Sequence, residues 1–386
     1  MDFQLTEEQK ELRESVRRYA HDRLLPLAEE IETSGEPPSH DVVREFADMG
    51  YLGINISEEL GGLGLGNLEA LIVIEELGKV SSAVGFPVFE SCVGPIRAIE
   101  KFGDPELAGE LVPQVCRGEK MVAIAMSEPA AGSALTDLKT TATEQGDEVV
   151  INGTKRWCSG GGHADGYVVW CRMSDDPGAR GIGAVYVEKG MDGLSFGRPE
   201  HLMGFRGVPS SDIYFDNVTV PKKNVVVGAG GFKQLMGAFD LERCGNATMA
   251  LAQAAAALDH VIEYTQEREQ FGKPIVDFQA VQLKLAEMQM QIEASRLLIW
   301  RAAVDAEQGF PSIMNSSVAK CFANEIARTV TGNALQLMGG YGYSKEYPME
   351  RRFRDAWGWG IAGGAIDIQK INIASALVGR RFNQRA

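Results

Sequence analysis

The chain has 386 residues, 45% of them hydrophobic and 24% charged, the make-up of a globular protein long enough for two or three folding units without disulfide staples. Its formal net charge of −15 argues against nucleic acid and against an anionic membrane surface as partners. No apolar run is long enough to cross a bilayer, and the acidic start MDFQLTEEQKEL lacks the marks of a signal or transit peptide, so a cytoplasmic protein is expected.

Residues 1–120 carry helical patterning. Thr6 and Gln9 form a capping box ahead of Leu12, Val16, Tyr19 and Leu24, which recur near helical spacing. Pro37-Pro38 marks a break, the glycine-rich stretch 61–66 a loop, and the helical pattern resumes from Leu68 to Leu77. Residues 121–227 change character. Short β-type runs lie at Val149–Ile151, Tyr167–Trp170, Ala184–Val187 and Ile213–Phe215, and Asn152-Gly153 between apolar residues predicts a type I′ hairpin turn. Over 228–386 the helical pattern returns. A long proline-free stretch covers 232–268, helices follow near 277–308 and 312–338, a flexible turn is expected at Gly339–Tyr343, and a last helix starts at about Asp367. This order predicts an α+β chain with segregated domains at 1–120, 121–227 and 228–386 rather than a doubly wound sheet.

The six cysteines form no CxxC pair and the five histidines no HExxH-like cluster. Reduced, mostly buried thiols and no catalytic metal are expected. No Walker loop, no glycine fingerprint placed after a strand and no nucleophile elbow is present. Two other segments stand out. Met126-Ser127-Glu128-Pro129-Ala130-Ala131-Gly132-Ser133 opens the β-domain. Its small residues let the backbone approach a planar or phosphorylated ligand, and its hydroxyls and N–H groups suit anions. Trp157-Cys158-Ser159-Gly160-Gly161-Gly162 sets an indole beside a hydroxyl and a glycine run. Taken singly, the first reads equally as a serine-bearing turn and the second as a core tryptophan.

Together these two segments resemble the flavin-binding segments of the acyl-CoA dehydrogenase family. Arg268-Glu269-Gln270-Phe271-Gly272 with Phe278-Gln279 resembles that family's Arg-x-x-Phe-Gly and Phe-Gln signature. Gln336–Gly342 resembles its Gln-x-x-Gly-Gly-x-Gly, and Pro348 to Asp355, with Arg351 and Arg354, its Pro-x-x-Arg-x-x-Arg-Asp segment. The resemblance spans essentially the whole chain. It implies the acyl-CoA dehydrogenase fold, with an N-terminal helical domain, a middle β-barrel-like domain and a C-terminal four-helix bundle. It implies FAD, with Ile124, Met126, Ser127, Gly132, Ser133, Trp157, Cys158 and Ser159 around the isoalloxazine and ribityl chain. Arg268, Phe271, Gln279, Gln336, Gly339 and Gly340 would take the diphosphate and adenosine. Family members supply some of these contacts from a neighbouring subunit, which implies a homotetramer built as a dimer of dimers. Ser133, Asp240 and Arg243 match positions that contact the CoA of an acyl-CoA substrate, and electron-transferring flavoprotein is the implied electron acceptor.

The base departs from the family's commonest pattern. Many relatives carry a catalytic Glu in Tyr-Glu-Gly-Thr shortly after Arg-Asp-Ala; here Arg354-Asp355-Ala356 is followed by Ile361–Ala365, and Gly363 stands at the Glu position. A second group, including isovaleryl-CoA and long-chain dehydrogenases, carries the base on a mid-chain helix. Asp240-Leu241-Glu242-Arg243 matches that arrangement, with Glu242 in the catalytic place. The pattern supports Glu242 independently. It lies inside a long apolar stretch and shares a helix face with Gly245, Asn246 and Met249. Gly245 is expected to leave room for a ligand beside a carboxyl whose pKa burial raises; the alternative is a solvated Glu on a helix surface. Glu90, in the Phe86–Ser91 segment that lines the acyl pocket in relatives, is a second acid, a recogniser of a polar acyl group, or a capped or solvated residue. The small Gly363-Gly364-Ala365 turn leaves space for branching or a ring near Cα. The expected reaction is α,β-dehydrogenation of a short branched, cyclic or otherwise substituted acyl-CoA to the 2-enoyl-CoA. Ser159–Gly162, Arg206–Pro209 and Ile361–Gly364 also resemble 3-sulfinopropionyl-CoA desulfinases, non-oxidative lyases that lack the Glu and use an Arg where Phe86 stands here.

Overall fold

A computed structural model describes residues 3–306 and 309–382. The N-terminal region is helical: α1 (Glu7–Tyr19), α2 (Leu25–Ser34), α3 (His40–Asp48), α4 (Asn67–Val80), α5 (Ser82–Cys92), α6 (Ile96–Phe102) and α7 (Pro105–Cys116). The capping box forms as expected, with Gln9 N donating to Thr6 Oγ1 (3.3 Å) and Thr6 N to Gln9 Oε1 (3.0 Å). Helices α4 and α5 are buried on nearly all sides, α5 with an almost wholly apolar sequence and α4 with Glu75 and Glu76 paired to Arg296 and Arg17.

The middle region is β1 (Val122–Ala125), β2 (Thr141–Gln145), β3 (Glu148–Ser159), β4 (Gly166–Arg172), β5 (Ile182–Glu188), β6 (Leu194–Phe196), β7 (Ser210–Pro221) and β8 (Val225–Val227). They form one eight-stranded mixed sheet in the order β6-β7-β3-β2-β4-β5-β8, with β1 parallel to β4. The pairing path ends at β6 and β8, so the barrel-like form is looser than a closed barrel. The hairpin lies elsewhere than expected. Gln145 pairs with Glu148, so Gly146-Asp147 makes the two-residue turn, with Gly146 at φ +65°. Asn152-Gly153 instead sits within β3 at a bulge against β7, where a Cβ on Gly153 would stand 2.7 Å from Thr140 Cα.

The C-terminal region begins with α8 (Phe232–Glu267), followed by the small ladder of β9 (Glu269–Gln270) and β10 (Lys273–Pro274). Then come α9 (Gln279–Val304), α10 (Ile313–Met338), α11 (Gly340–Tyr343), α12 (Met349–Trp359) and α13 (Ile366–Val378). The expected extension of α9 to 308 lies partly outside the described residues. Helix α10 packs on α8, α9, α12 and α13, and α4 lies against α8. The flexible turn expected at 339–343 is a helical turn, α11, because Gly342 lets it close onto α10, with the glycine's Cβ position 2.5 Å from Leu335 O. Helix α12 covers the Pro-x-x-Arg-x-x-Arg-Asp stretch.

Gly245 does not open space for a ligand. A Cβ there would stand 2.4 Å from Val93 Cγ2 and 3.0 Å from the Phe89 ring, so the glycine lets α8 close onto the α5 segment. Gly245→Ala should therefore destabilise the fold by roughly 1–3 kcal/mol through overpacking, read as a lower Tm in thermal denaturation. An unchanged Tm would mean that this contact is loose.

Candidate active site

Helices α5, α8 and α10 and the turn after α12 bring together Glu90, Glu242, Asn246 and Lys320. Glu242 lies in the buried middle of α8, 9% exposed, and among the described residues its carboxyl has no hydrogen-bond partner. Burial pushes its pKa up to about 8, against the pull of Lys320 and Arg243. Glu90 on α5 is also buried. One carboxyl oxygen folds over Gly94, 2.8 Å from that residue's Cβ position, and is left without a partner. Burial, then the like charge of Glu242, holds the Glu90 carboxyl well above the usual range.

Lys320, on α10, is fully buried. Its Nζ donates to Asn246 Oδ1 (3.0 Å), to Trp359 O (3.4 Å) and to Ala362 O. Asn324 Nδ2 donates to the same Asn246 oxygen (3.0 Å), and Asn246 Nδ2 to Ala362 O (3.2 Å). Burial lowers the Lys320 pKa to about 7; Arg243 lowers it further and Glu242 opposes the shift. Gly363 sits at φ +67°, and a Cβ on it would stand 3.1 Å from Asn246 Nδ2 and 3.2 Å from Lys320 Nζ. The position that gives many relatives their base is thus closed here by a lysine head. Among the described residues the N–H of Gly363 has no acceptor. Asp240 and Arg243 form a buried pair at 2.5 Å, and Ser316 Oγ donates to Asp240 (2.7 Å).

The two β-domain segments lie side by side, because Arg156 N donates to Ser127 O (2.9 Å). Ile124 is on β1, with Met126 and Ser127 just past its end; Gly132 and Ser133 are exposed further along the loop. Beneath them Lys155, fully buried, donates to Met126 O and to Glu128 Oε1, both at 2.9 Å. Glu128 also accepts from Lys139 N (2.6 Å) and Thr140 N (2.8 Å). Trp157 is 54% exposed at φ +61°, a costly setting for a bulky residue and one that clusters at ligand sites. The Arg156 guanidinium lies 4.2 Å from its ring. Ser159 is half-buried, while Cys158 turns its thiol into the sheet core.

Arg268, Gly339 and Gly340 line one groove with Tyr264, Gln270 and Tyr341. Phe271 is 95% exposed at φ +54°, and Gln279 and Gln336 are exposed. None of these three, and nothing from 124–159, lines that groove. The arginines of the Pro-x-x-Arg-x-x-Arg-Asp segment are structural. Arg354 pairs with Glu350 (2.6 Å) and Glu32 (2.5 Å), Arg351 donates to Ala28 O (3.1 Å), and Asp355 accepts from Phe205 N (2.8 Å). Lys320, Asn324 and Lys155 went unread in the sequence, since a lone Lys or Asn in a helix or strand reads as solvated. All six cysteines are buried and free. Among the described residues no group of three or more His, Cys, Asp or Glu is placed to hold a metal, and no helix is long and apolar enough to cross a membrane.

Family models match three successive stretches: the acyl-CoA dehydrogenase N-terminal domain over residues 6–119, the middle domain over 123–218 and the C-terminal domain over 229–378. The chain belongs to the acyl-CoA dehydrogenase family. Within that family of enzymes it is 38% identical to a 3-sulfinopropanoyl-CoA desulfinase of Variovorax paradoxus, over 99% of this chain and 97% of the relative. It is 39% identical to an acryloyl-CoA reductase (NADH) of Anaerotignum propionicum, over 98% and 97% of the two chains. The solved FAD complex of PigA superposes with a TM-score of 0.93 at 27% identity, covering 98% of this chain and 99% of that one.

Proposed function

We propose that the chain is an FAD-dependent acyl-CoA dehydrogenase in which Glu242 removes the α-proton of an acyl-CoA thioester on the way to the 2-enoyl-CoA. The observation that carries this reading is a buried carboxyl without a hydrogen-bond partner, one helical turn from Asn246, whose side chain donates to Ala362 O beside the free Gly363 N–H; burial pushes the carboxyl's pKa up to about 8. A general base works best with a pKa near the operating pH, and ionised Glu242 accepts the Cα proton directly. The Gly363 N–H donates to the thioester oxygen as charge develops there, worth roughly 3 kcal/mol in a dry site. Ser133, Asp240 and Arg243 are assigned to the CoA portion.

The residues present fit FAD. Trp157 is half-exposed at a strained φ beside Ser127, and Gly132, Gly339 and Gly340 have nothing within 4 Å of a Cβ position, so a ligand can approach the backbone closely. Ile124, Met126, Ser127, Gly132, Ser133, Trp157, the Cys158 backbone and Ser159 would hold its ring and ribityl chain. Arg268, Phe271, Gln279, Gln336, Gly339 and Gly340 would hold the diphosphate and adenosine. Bound FAD supplies the hydride acceptor for Cβ. The bare Phe271 ring and the exposed Gln279 and Gln336 suit contacts made across a subunit boundary, as in a homotetramer of two dimers. Electron-transferring flavoprotein as acceptor and a cytoplasmic location belong to the same reading.

For the acyl group, Glu90 is the informative residue. Burial, then the like charge of Glu242, raises its pKa well above the usual range and so favours the protonated form, whose O–H can be donated to a polar substituent of a short branched, cyclic or otherwise substituted acyl chain. The test is anaerobic flavin bleaching across short, branched, cyclic, aromatic and dicarboxylic acyl-CoAs, with wild type and Glu90→Leu. Wild type should bleach with at least one class, and Glu90→Leu should shift the preference toward plain alkyl groups. No bleaching anywhere in the panel would refute the dehydrogenase reading. The likeness to the desulfinase supports a second reading, non-oxidative sulfinate release. Two features weigh against it: Glu242 is present, and Phe86 packs with Phe89 at a ring separation of 6.1 Å where a pocket arginine would be needed. Sulfite release from 3-sulfinopropanoyl-CoA would reverse the ranking.

A further inference from the structure

We propose that Asn246 and Gln369 are positioning residues for the oxyanion donor: their buried amides grip the carbonyls on either side of Gly363 and aim its free N–H at the thioester oxygen. This rests on the reading of that N–H as the donor and names the residues that hold it.

Two glycines in a row form the most mobile backbone a chain can offer. Gly363 and Gly364 both lie in the left-handed region, at φ +67° and +87°. A donor that stabilises a developing oxyanion must already be in place, because reorganising it during the reaction forfeits its effect. Something besides the turn's own backbone must therefore hold it, and among the described residues the Gly363 N–H itself has no acceptor.

Asn246 supplies one grip, its Nδ2 donating to Ala362 O (3.2 Å). That oxygen and the Gly363 N–H belong to one planar trans peptide, so fixing the oxygen fixes the direction of the N–H at the opposite end. Hydrogen bonds onto the carbonyl also polarise the peptide and make its N–H a better donor. Lys320 Nζ adds a second such bond. Gln369, in the first turn of α13, supplies the other grip, its Nε2 donating to Gly364 O (3.2 Å).

Neither amide is free to turn over. Asn246 Oδ1 accepts from Lys320 Nζ and from Asn324 Nδ2, both at 3.0 Å. Gln369 Oε1 accepts from Ser317 Oγ (3.1 Å) and from Asn372 Nδ2 (3.3 Å). With each oxygen occupied twice, each amide nitrogen is left facing the turn. Both side chains are buried, and α8, α10 and α13 share the clamp. It also accounts for both glycines. A Cβ would stand 3.1 Å from Asn246 Nδ2 at 363 and 2.7 Å from Gln369 Nε2 at 364. Asn246 follows Glu242 by one helical turn, so a single helix fixes the base and the grip on the donor relative to each other.

The test uses FAD-loaded protein saturated with acetyl-CoA that carries carbon-13 at the thioester carbonyl. Acetyl-CoA has α-hydrogens but no Cβ, so it can be enolised without reducing the flavin. Wild type should lower the frequency of the bound carbonyl's infrared band relative to that in water, and should exchange the acetyl hydrogens with heavy water. Asn246→Leu and Gln369→Met each remove one grip and are made separately, so that one decides if the other folds poorly. In a folded, FAD-retaining variant the band should move back toward its free position, and exchange should slow roughly ten- to a hundredfold. A role in packing alone would leave the band where it is. An unmoved band in a folded variant overturns the role of that residue, and an unshifted band in wild type overturns both. If wild type lowers the band but bleaches with no acyl-CoA, the dehydrogenase reading fails while the positioned donor stands.

Discussion

Glu242→Gln is expected to slow flavin reduction by acyl-CoA roughly 10³–10⁴-fold, the upper part of the range for losing a general base, with FAD content unchanged. The amide matches the carboxyl in shape and needs no charge in a buried site, so the packing of α8 against α5 and α10 survives. In wild type the bleaching rate per unit substrate should fall about tenfold for each pH unit below the pKa of about 8 and level off above it, because only ionised Glu242 accepts the proton. The variant's residual rate should show no such limb. Retained bleaching with a retained limb would mean that another group is the base, with Glu90, the other buried carboxyl beside it, the first to test.

Lys155→Met should destabilise the β-domain by roughly 3–5 kcal/mol, because it strands the buried Glu128 carboxylate without its cation. The pair also holds the 126–133 loop, since Lys155 Nζ donates to Met126 O and Glu128 accepts from the backbone at 139 and 140. Loss of stability and loss of FAD should therefore appear together. Thermal denaturation and the flavin-to-protein absorbance ratio of the purified variant measure both. A folded variant with full FAD content would show that the ion pair does not position the loop.

The order of helical, sheet and helical regions was legible because the hydrophobic period changes from helical spacing to short β-rich runs and back. Glu242 was singled out by the resemblance of Asp240–Arg243 to relatives with a mid-chain base; the pattern alone adds that a carboxylate inside a long apolar helix conflicts with its surroundings unless it has a task, and the structure buries it. The rest depends on tertiary packing that no local pattern carries. Gly245 looked like space for a ligand, but Val93 and Phe89 fill it. Asn152-Gly153 looked like a turn, but the chain turns at Gly146-Asp147 and uses Gly153 to pass Thr140. Lys155 shares the parity of the buried Val149 and Ile151 and so falls on the core face of β3, but a lone lysine in a strand carries no local sign of the buried Glu128 that receives it. Lys320 looked solvated because the turn that receives it comes from residues 359–362, some forty positions on.

In the proposed reaction the carboxylate of Glu242 takes the proton from the carbon next to the thioester. Wash-out of deuterium from an α-deuterated acyl-CoA into water, followed anaerobically with FAD-loaded wild type and Glu242→Gln, tests it most directly. Wild type should release the label and the variant should hold it over the same period. Equal release by both proteins would contradict the assignment.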